Sequence, residues 1–482
     1  MAHTTLSTAS LAASSGAEAA RQRFALLVML SGTLLVVLDF FIVNVALPAI
    51  QQDLHASTAA LQWIVAGYGL ATAAGLITGG RLGDLFGRPR AFQAGLLLFT
   101  LASVACGFAP DAPTLVAARI AQGVAGAILQ PQVLAMMSLT YTGAARARAF
   151  AAYGLTLGLG ATLGQLLGGA LIAADWGGLG WRACFLINLP VGLAALAAAP
   201  RALARIADTR THSRIDVVGA LLAALVAVAV VWPLVEGRVA SWPAWTLLAP
   251  AASLLLLWGL LRQQAARERS GRVPLLPSAL LADRRFRAGL ATVVVFYAGN
   301  ASLYFVLALH LQQTLRLSPL QSGVVFSALA VGFFLTSMLA APLAKHFGGA
   351  PIARGALLLA CAHLLQWANV QGLPAAFLTL GVPLLLLQGA GLGIVMAPLA
   401  SAVLARVELQ HSGVASGLLA TVQHAGNALG VALVGALYFR TSGHGLLHAG
   451  DFAASLVYLA VTAVGTAACY RLVLRERPVS GE

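Results

Sequence analysis

Fourteen apolar runs of roughly twenty residues, each closed by a short polar or Gly/Pro loop, constrain this chain more than any other feature. A run of that length is the reach of one helix across the hydrocarbon layer of a bilayer. Lipid offers the backbone no hydrogen-bond partners, so a spanning segment must satisfy its own amides, as a helix does. The runs fall near 24–50, 58–80, 91–109, 113–139, 149–173 and 181–199, then 215–235 and 243–262, then 286–312, 322–344, 351–370, 374–404, 412–439 and 452–474. The expectation is an all-α integral membrane protein with fourteen transmembrane helices.

Charge supports the reading twice. Only 9% of the 482 residues are charged, against roughly a quarter in a soluble domain, and the mean hydropathy is +0.87. The net charge of +14 would suggest nucleic acid in a soluble protein. Here the basic residues sit in short loops rather than on a stripe with aromatics. With the N-terminus inside, the inner segments hold 24 Lys and Arg and the outer ones only Arg182, Arg238, Arg316 and Arg440. Cytoplasmic loops collect Lys and Arg, so an even number of spans with both termini cytoplasmic is predicted. The lipid bilayer, not nucleic acid, is then the partner. The Ser/Thr/Ala-rich segment 1–23 reads as disordered, and 24–50 as an uncleaved first helix rather than a signal peptide. Cys106, Cys184, Cys361 and Cys469 lie in apolar runs without ligand spacing and read as inert buried thiols.

The first inner loop reads Gly79-Gly80-Arg81-Leu82-Gly83-Asp84-Leu85-Phe86-Gly87-Arg88. A basic anchoring loop would need the arginines but not an acid among glycines. A weaker copy, Leu343-Ala344-Lys345-His346-Phe347-Gly348, follows the tenth run and suggests two equivalent halves. The first loop resembles the G-x-L-x-D-x-x-G-R signature of the major facilitator superfamily. Further stretches are similar to its fourteen-helix drug:proton antiporter branch. They are Leu38-Asp39 through Val43-Asn44-Val45-Ala46-Leu47-Pro48, Leu61-Gln62-Trp63 with Tyr68, Trp181-Arg182 through Asn188-Leu189-Pro190, and His411-Ser412-Gly413 through Gly417. The resemblance covers residues 24–474. It implies two six-helix bundles, 24–199 and 286–474, with cytoplasmic linkers and two extra central helices at 200–285 and a tail at 475–482. It also implies that Gly80, Asp84, Gly87 and Arg88 form a conformational latch, with the start of the thirteenth helix near Ser412 as a partner for Asp84.

Asp39 and Arg119 are the acid and the base placed mid-membrane. Each alone would cost several kcal/mol in lipid. One reading is a static pair. The other, which agrees with the family's use of a membrane acid and a fourth-helix Arg, makes Asp39 the protonation site and Arg119 the group that keeps it ionised. The fifth helix carries Gly160, Gly164, Gly168 and Gly169, matching the family's antiporter motif except that Gln165 replaces its proline. Close helix packing explains most of these glycines; the lost proline kink weighs against antiport.

Candidates for substrate contact are polar or aromatic residues within apolar runs: Asn44, Gln62, Trp63, Tyr68, Gln130 and Gln165 in the first half, and Phe296, Asn300, Tyr304, Phe305, Gln388, Gln423, His424 and Asn427 in the second. Tyr304 and Phe305 cannot both face a pocket, since helical neighbours point about 100° apart. His310 and His363 read as satisfied locally rather than as proton carriers. No phosphate-binding loop, nucleophile elbow or metal spacing occurs, which argues against an ATP-driven pump, an enzyme or a metal site. No cofactor is expected beyond protons as coupling ion. The resemblance implies a bacterial plasma-membrane exporter of neutral or monocationic lipophilic molecules, acting as a monomer, with a periplasmic adaptor left open. The alternative is a dedicated transporter of one metabolite, siderophore or organic anion, not necessarily an antiporter.

Overall fold

The computed structural model of the chain describes residues 2–206, 216–237, 240, 243–272, 274–275, 278–347, 351–372, 377–404, 407, 412–439 and 449–475. Every regular element among them is helical. In chain order these are α1 (Ala2–Asp53), α2 (Thr58–Phe86), α3 (Arg88–Gly107), α4 (Ala112–Thr140), α5 (Gly143–Ala174), the short α6 (Ala183–Leu186) and α7 (Asn188–Ala202). Then come α8 (Val217–Glu236), α9 (Trp245–Arg269), the short α10 (Ser278–Ala282), α11 (Arg284–Leu309), α12 (Pro319–Phe347), α13 (Pro351–Gly372), α14 (Val382–Leu404), α15 (Ser412–Tyr438) and α16 (Ala449–Arg475). Twelve helices among the described residues are long and apolar enough to cross a membrane. Two others, α9 and α13, have 25 and 22 residues and occupy the places of the eighth and eleventh predicted runs.

The boundaries have local causes. Ser57 and Asp111 cap α2 and α4 through side-chain oxygens that accept from Ala60 N–H and Thr114 N–H. Gly87 takes φ 94°, which lets α2 end and α3 begin within one residue. The sixth run is not one straight helix. It starts as a helical turn at Gly180–Arg182 and passes through α6 into α7, where Pro190 lies in the first turn, a position that needs no amide N–H. Helical backbone extends back to Ala2 through the segment expected to be disordered, as its alanine content favours. Of the four free cysteines, Cys106 and Cys184 are buried as expected, but Cys361 is exposed on α13.

Packing pairs repeat. Helix α1 lies on α5, α2 on α4, and α3 on α4 and α7; likewise α11 lies on α15, α12 on α14, and α13 on α14 and α16. Both halves use glycine for their tightest contacts. A Cβ at Gly79 would fall 2.1 Å from Ala127 O, and one at Gly389 1.9 Å from Leu329 O. The halves meet along α2–α15, α5–α12 and α1–α11. Helices α8 and α9 pair with each other, and α8 rests on both α2 and α15. Large apolar side chains such as Leu254, Leu255, Trp258 and Met338 are exposed on the outside, as a lipid-facing surface requires.

The α8–α9 pair is pinned at one end by Asp216. Its carboxylate caps Gly219 N–H, accepts from Gln263 and Gln264, and stands 3.2 Å from Arg267. Burial pushes this carboxyl up, but the bonds from Gly219, Gln264 and Gln263 and the Arg267 charge outweigh it and hold it below the ordinary value. A depressed carboxyl stabilises the fold above its unfolded pKa and loses that stabilisation as pH falls through the folded one. Asp216→Ala is expected to lower the melting temperature in detergent at neutral pH, and the difference from the parent protein should shrink below about pH 4. Thermal unfolding at both pH values checks this.

Candidate functional site

The N-terminal half encloses one fully desolvated ion pair. Asp39 on α1 and Arg119 on α4 are both 0% exposed and in direct contact through Oδ2 and Nη1. Gln122, one turn after Arg119, donates to Asp39 Oδ1 at 2.8 Å, and Asn188 at the start of α7 donates to the same oxygen at 2.9 Å. Ser103 on α3 accepts from Asn188 and donates to Phe185 O. Arg119 also donates from Nε to Ile64 O at 3.0 Å and from Nη1 to Gln122 Oε1 at 2.7 Å. The Tyr68 ring lies 4.3 Å from the guanidinium carbon.

Four helices therefore converge on one carboxylate. The pair found from sequence is joined by Gln122, Asn188 and Ser103, which were not singled out for this role. Two of them carry a sequence signal: Gln122 stands one turn from the arginine, and Asn188 two residues before Pro190. Tyr68, a substrate candidate by sequence, is built into this site: its hydroxyl donates to Val36 O and its ring covers Arg119. Arg119 Nη2 is buried without a partner, so the site keeps one donor in reserve.

At the α2–α3 turn Asp84 lies between two arginines, 3.7 Å from Arg81 and 2.6 Å from Arg88. Gly80 sits beside Pro131 of α4, and Gly87 makes the turn. The Ser412 side chain and Gly348 of the second loop lie outside the described residues. The loop is also tied to α4 by Gln132, which donates to Gly79 O at 2.8 Å and packs against Gly83.

The glycines of α5 divide by face. A Cβ at Gly160, Gly164 or Gly168 would meet Val37, Leu38 O or Ile42 at 2.8–3.0 Å, all on α1. One at Gly169 would fall 2.4 Å from Pro319 O of α12, and one at Gly323 2.8 Å from Gln165 O. Gln165 itself donates to Phe41 O and so ties α5 to α1. Several of the close contacts between the halves lie at this end of the bundle, where α1 finishes at Asp53. Gln312 donates to Val45 O, Gln313 to Gln51, and a Cβ at Gly435 would strike Gln62 at 2.4 Å. Trp181 and Arg182 both bind Asp53, at 2.9 and 2.5 Å.

Halfway along the bundle, one pair of candidates, Gln130 and His424, meets across the halves, and a third candidate, Tyr304, meets Phe41. Tyr304 stacks on Phe326 and sits 4.7 Å from Phe41, while Phe305 turns away onto Phe439. Gln130 on α4 and His424 on α15 are 3.3 Å apart; Gln423 is half-buried beside His424, and Asn427 is buried one turn on. The other candidates go elsewhere. Asn44 bonds back to Phe40 O and Phe41 O, and Trp63 donates to Glu236 of α8 at 2.8 Å. Phe296 and Asn300 line a void inside the C-terminal half, and Gln388 is buried in that half. His310 and His363, expected to be satisfied locally, each keep a buried Nδ1 without a partner.

Comparison with known proteins agrees with this architecture. The sequence model of the Major Facilitator Superfamily matches residues 29–431 and 289–481. The chain is 38% identical to the probable actinorhodin transporter of Streptomyces coelicolor over 92% of its own length and 77% of the relative's. It is 37% identical to the puromycin resistance protein of Streptomyces alboniger, covering 86% of itself and 81% of that protein. Among solved structures, the inward-open xylose transporter XylE from E. coli superposes with a TM-score of 0.64 at 15% identity, over 94% of this chain and 97% of that one. That likeness is one of fold.

Proposed function

The chain belongs to the Major Facilitator Superfamily as a multi-pass membrane transporter, and on that premise we propose that it exports small lipophilic antibiotic-type molecules in exchange for protons. The observation that carries the reading is the Asp39–Arg119 pair, wholly removed from solvent within a half whose packing partners must move in any alternating-access cycle. An ionised carboxylate there depends on its guanidinium. When the helices separate the pair, Asp39 binds a proton; when they return, Arg119 displaces it. Tying those two states to opposite openings converts a proton gradient into transport. One pH unit supplies about 1.4 kcal/mol and 100 mV about 2.3 kcal/mol per charge.

The proposed architecture has fourteen spans, with α9 and α13 crossing as well, both termini in the cytoplasm and a monomer in the bacterial plasma membrane. The substrate site is assigned to the midplane seam of Phe41, Gln130, Tyr304, Gln423, His424 and Asn427. Its aromatic and neutral polar lining suits neutral or monocationic ligands. Arg119 is occupied by Asp39 and inside one half, which weighs against an organic-anion site. Relatives named for actinorhodin and puromycin, and one named a multidrug resistance protein, support antibiotic-type substrates.

The test is expression in a drug-sensitive bacterial host, scoring growth against actinorhodin, puromycin and chemically varied antibiotics, followed by uptake into everted vesicles with and without a proton gradient. Gradient-dependent accumulation of at least one compound is expected; none across the panel would sink the reading. In the same vesicles Asp84→Lys, which leaves Arg81 and Arg88 facing a third cation, is expected to slow turnover at least about tenfold, or about 1.4 kcal/mol, with substrate affinity nearly unchanged. Equal turnover would remove the latch role.

A further inference from the structure

The C-terminal half contains a polar interior that the exchange cycle described above does not use. Helices α11, α13, α14 and α16 enclose it; by order and packing they correspond to α1, α3, α4 and α7, which surround Asp39. Asn300 stands fourteen residues before its helical segment ends at Thr314, as Asp39 stands fourteen before Asp53. Asn300, His363, Thr462 and Thr466 line one void, whose volume of about 10 Å³ for the centre of a water molecule is the least that admits one water. No carboxylate or guanidinium lines it.

The surrounding groups are short of partners. His363 is 2% exposed, and Gln366 and Gln388 are 0% exposed. His363 Nδ1 and both amide atoms of Gln366, Asn369 and Gln388 are buried with no hydrogen bond from the protein. A dry site would leave each of these groups desolvated with no bond in return. His363, Gln366 and Asn369 recur every third residue, so they form one stripe along α13 from the void toward the Asp53 end. Gly381 gives that stripe room, since a Cβ there would stand 2.8 Å from Gln366 Nε2. Polar side chains on both sides of a water-sized void, continued by a polar stripe toward one face, make a site for water and for what water carries.

We propose that this is a second proton-binding site, in which His363 receives a proton passed along water held by Gln366 and Asn369 from the Asp53 end. The step balances simply: the Nδ1 lone pair takes the proton from a hydrated proton, leaving water, and the imidazolium gains one positive charge. Oxygens of Asn300, Thr462 and Thr466 at the void accept from the cation or its water. Helix α14 brings no titratable group. Helix α13 itself carries Arg354 and Cys361; α16 brings Tyr458 at this depth, with Asp451 near its start and Cys469, Tyr470, Arg471 and Arg475 near its end. Helix α11 brings Tyr297 and Tyr304, with Arg284, Arg285 and Arg287 at its start, and the helical turn that follows it brings His310 toward the Asp53 end; α12 carries Lys345 and His346 at its far end. The use of the site in transport rests on the proton-exchange reading, but its existence rests on the void and the unpartnered atoms.

The full-length protein in lipid nanodiscs, with ¹⁵N-labelled histidine rings, provides the test. The His363 resonance is assigned by its loss in His363→Gln or, should that variant misfold, by elimination through single His→Gln variants at the other nine histidines. Between about pH 8 and about pH 5 the His363 ring is expected to pass from mostly neutral to mostly cationic, with more than about half of the rings charged at the lower pH. In Ala463→Leu, which fills the void without replacing the ring, it should stay neutral. The same titration should persist in Asp39→Asn, where the exchange reading expects transport to fail, so the two ideas fall separately. A His363 ring neutral throughout the range in the parent protein, or one equally charged in Ala463→Leu, overturns the proposal.

Discussion

Asp39→Asn is expected to collapse proton-driven accumulation in everted vesicles to the passive level, from a ratio on the order of a hundredfold that about 2.7 kcal/mol of gradient would sustain, while the protein remains folded and inserted. Asparagine keeps the shape and can still accept from Gln122 and Asn188, but it can neither carry nor release a proton at neutral pH. Arg119 retains Ile64 O, Gln122 and the Tyr68 face, so the half has partners left to hold together. A buried cation that has lost its counter-ion is still costly, on the order of 3–5 kcal/mol. The variant should therefore melt earlier than the parent protein. Asp39→Asn combined with Arg119→Gln should recover much of that stability and none of the transport. Stability and coupling are then measured on different variants. Efflux that persisted undiminished in the single variant would show that the proton travels elsewhere.

The parts of this site that were legible in the sequence are those where chemistry conflicts with its surroundings. A carboxylate at position 39 and a guanidinium at 119, each inside an apolar run, must find one another or be lost to solvation cost, and they do. Span positions were legible for the same reason, because a bilayer sets helix length. Neutral polar groups gave no such signal. Gln122 and Asn188 look like any helical amide until α4 and α7 are seen on either side of Asp39. Aromatic residues suit ligands, so Tyr68 and Trp63 read as substrate contacts; nothing local signals that one covers Arg119 and the other holds Glu236. Facing direction within a helix was partly readable: Tyr304 and Phe305 do diverge, as 100° per residue demands. Which of them turned toward the other half depended on packing between segments some 260 residues apart in sequence (Phe41 to Tyr304), and no local pattern encodes that.

The α5 glycines separate folding from cycling, and Gly169→Leu is the substitution that should show it. At Gly160, Gly164 and Gly168 an added side chain would strike α1 within the same half. A leucine at Gly164 is therefore expected to loosen that half and lower the melting temperature, in the manner of an overpacked core costing about 1–3 kcal/mol or more. Gly169 points across the seam, where even a Cβ would lie 2.4 Å from Pro319 O. Leucine there should leave each half intact but keep α5 and α12 apart. The contacts Gln312–Val45 and Gln313–Gln51 on the neighbouring helix pair would then be strained or broken. The expected result is a normal melting temperature, a wider distance between spin labels at the Asp53 ends of α1 and α11, and transport reduced by at least about a hundredfold, equivalent to roughly 2.7 kcal/mol against the closed state. A carrier that cannot close one mouth cannot move its site to the other without leaking or stalling. Full transport with an unchanged label distance would mean that the tight seam is not a moving contact, and alternating access would need another pair of surfaces.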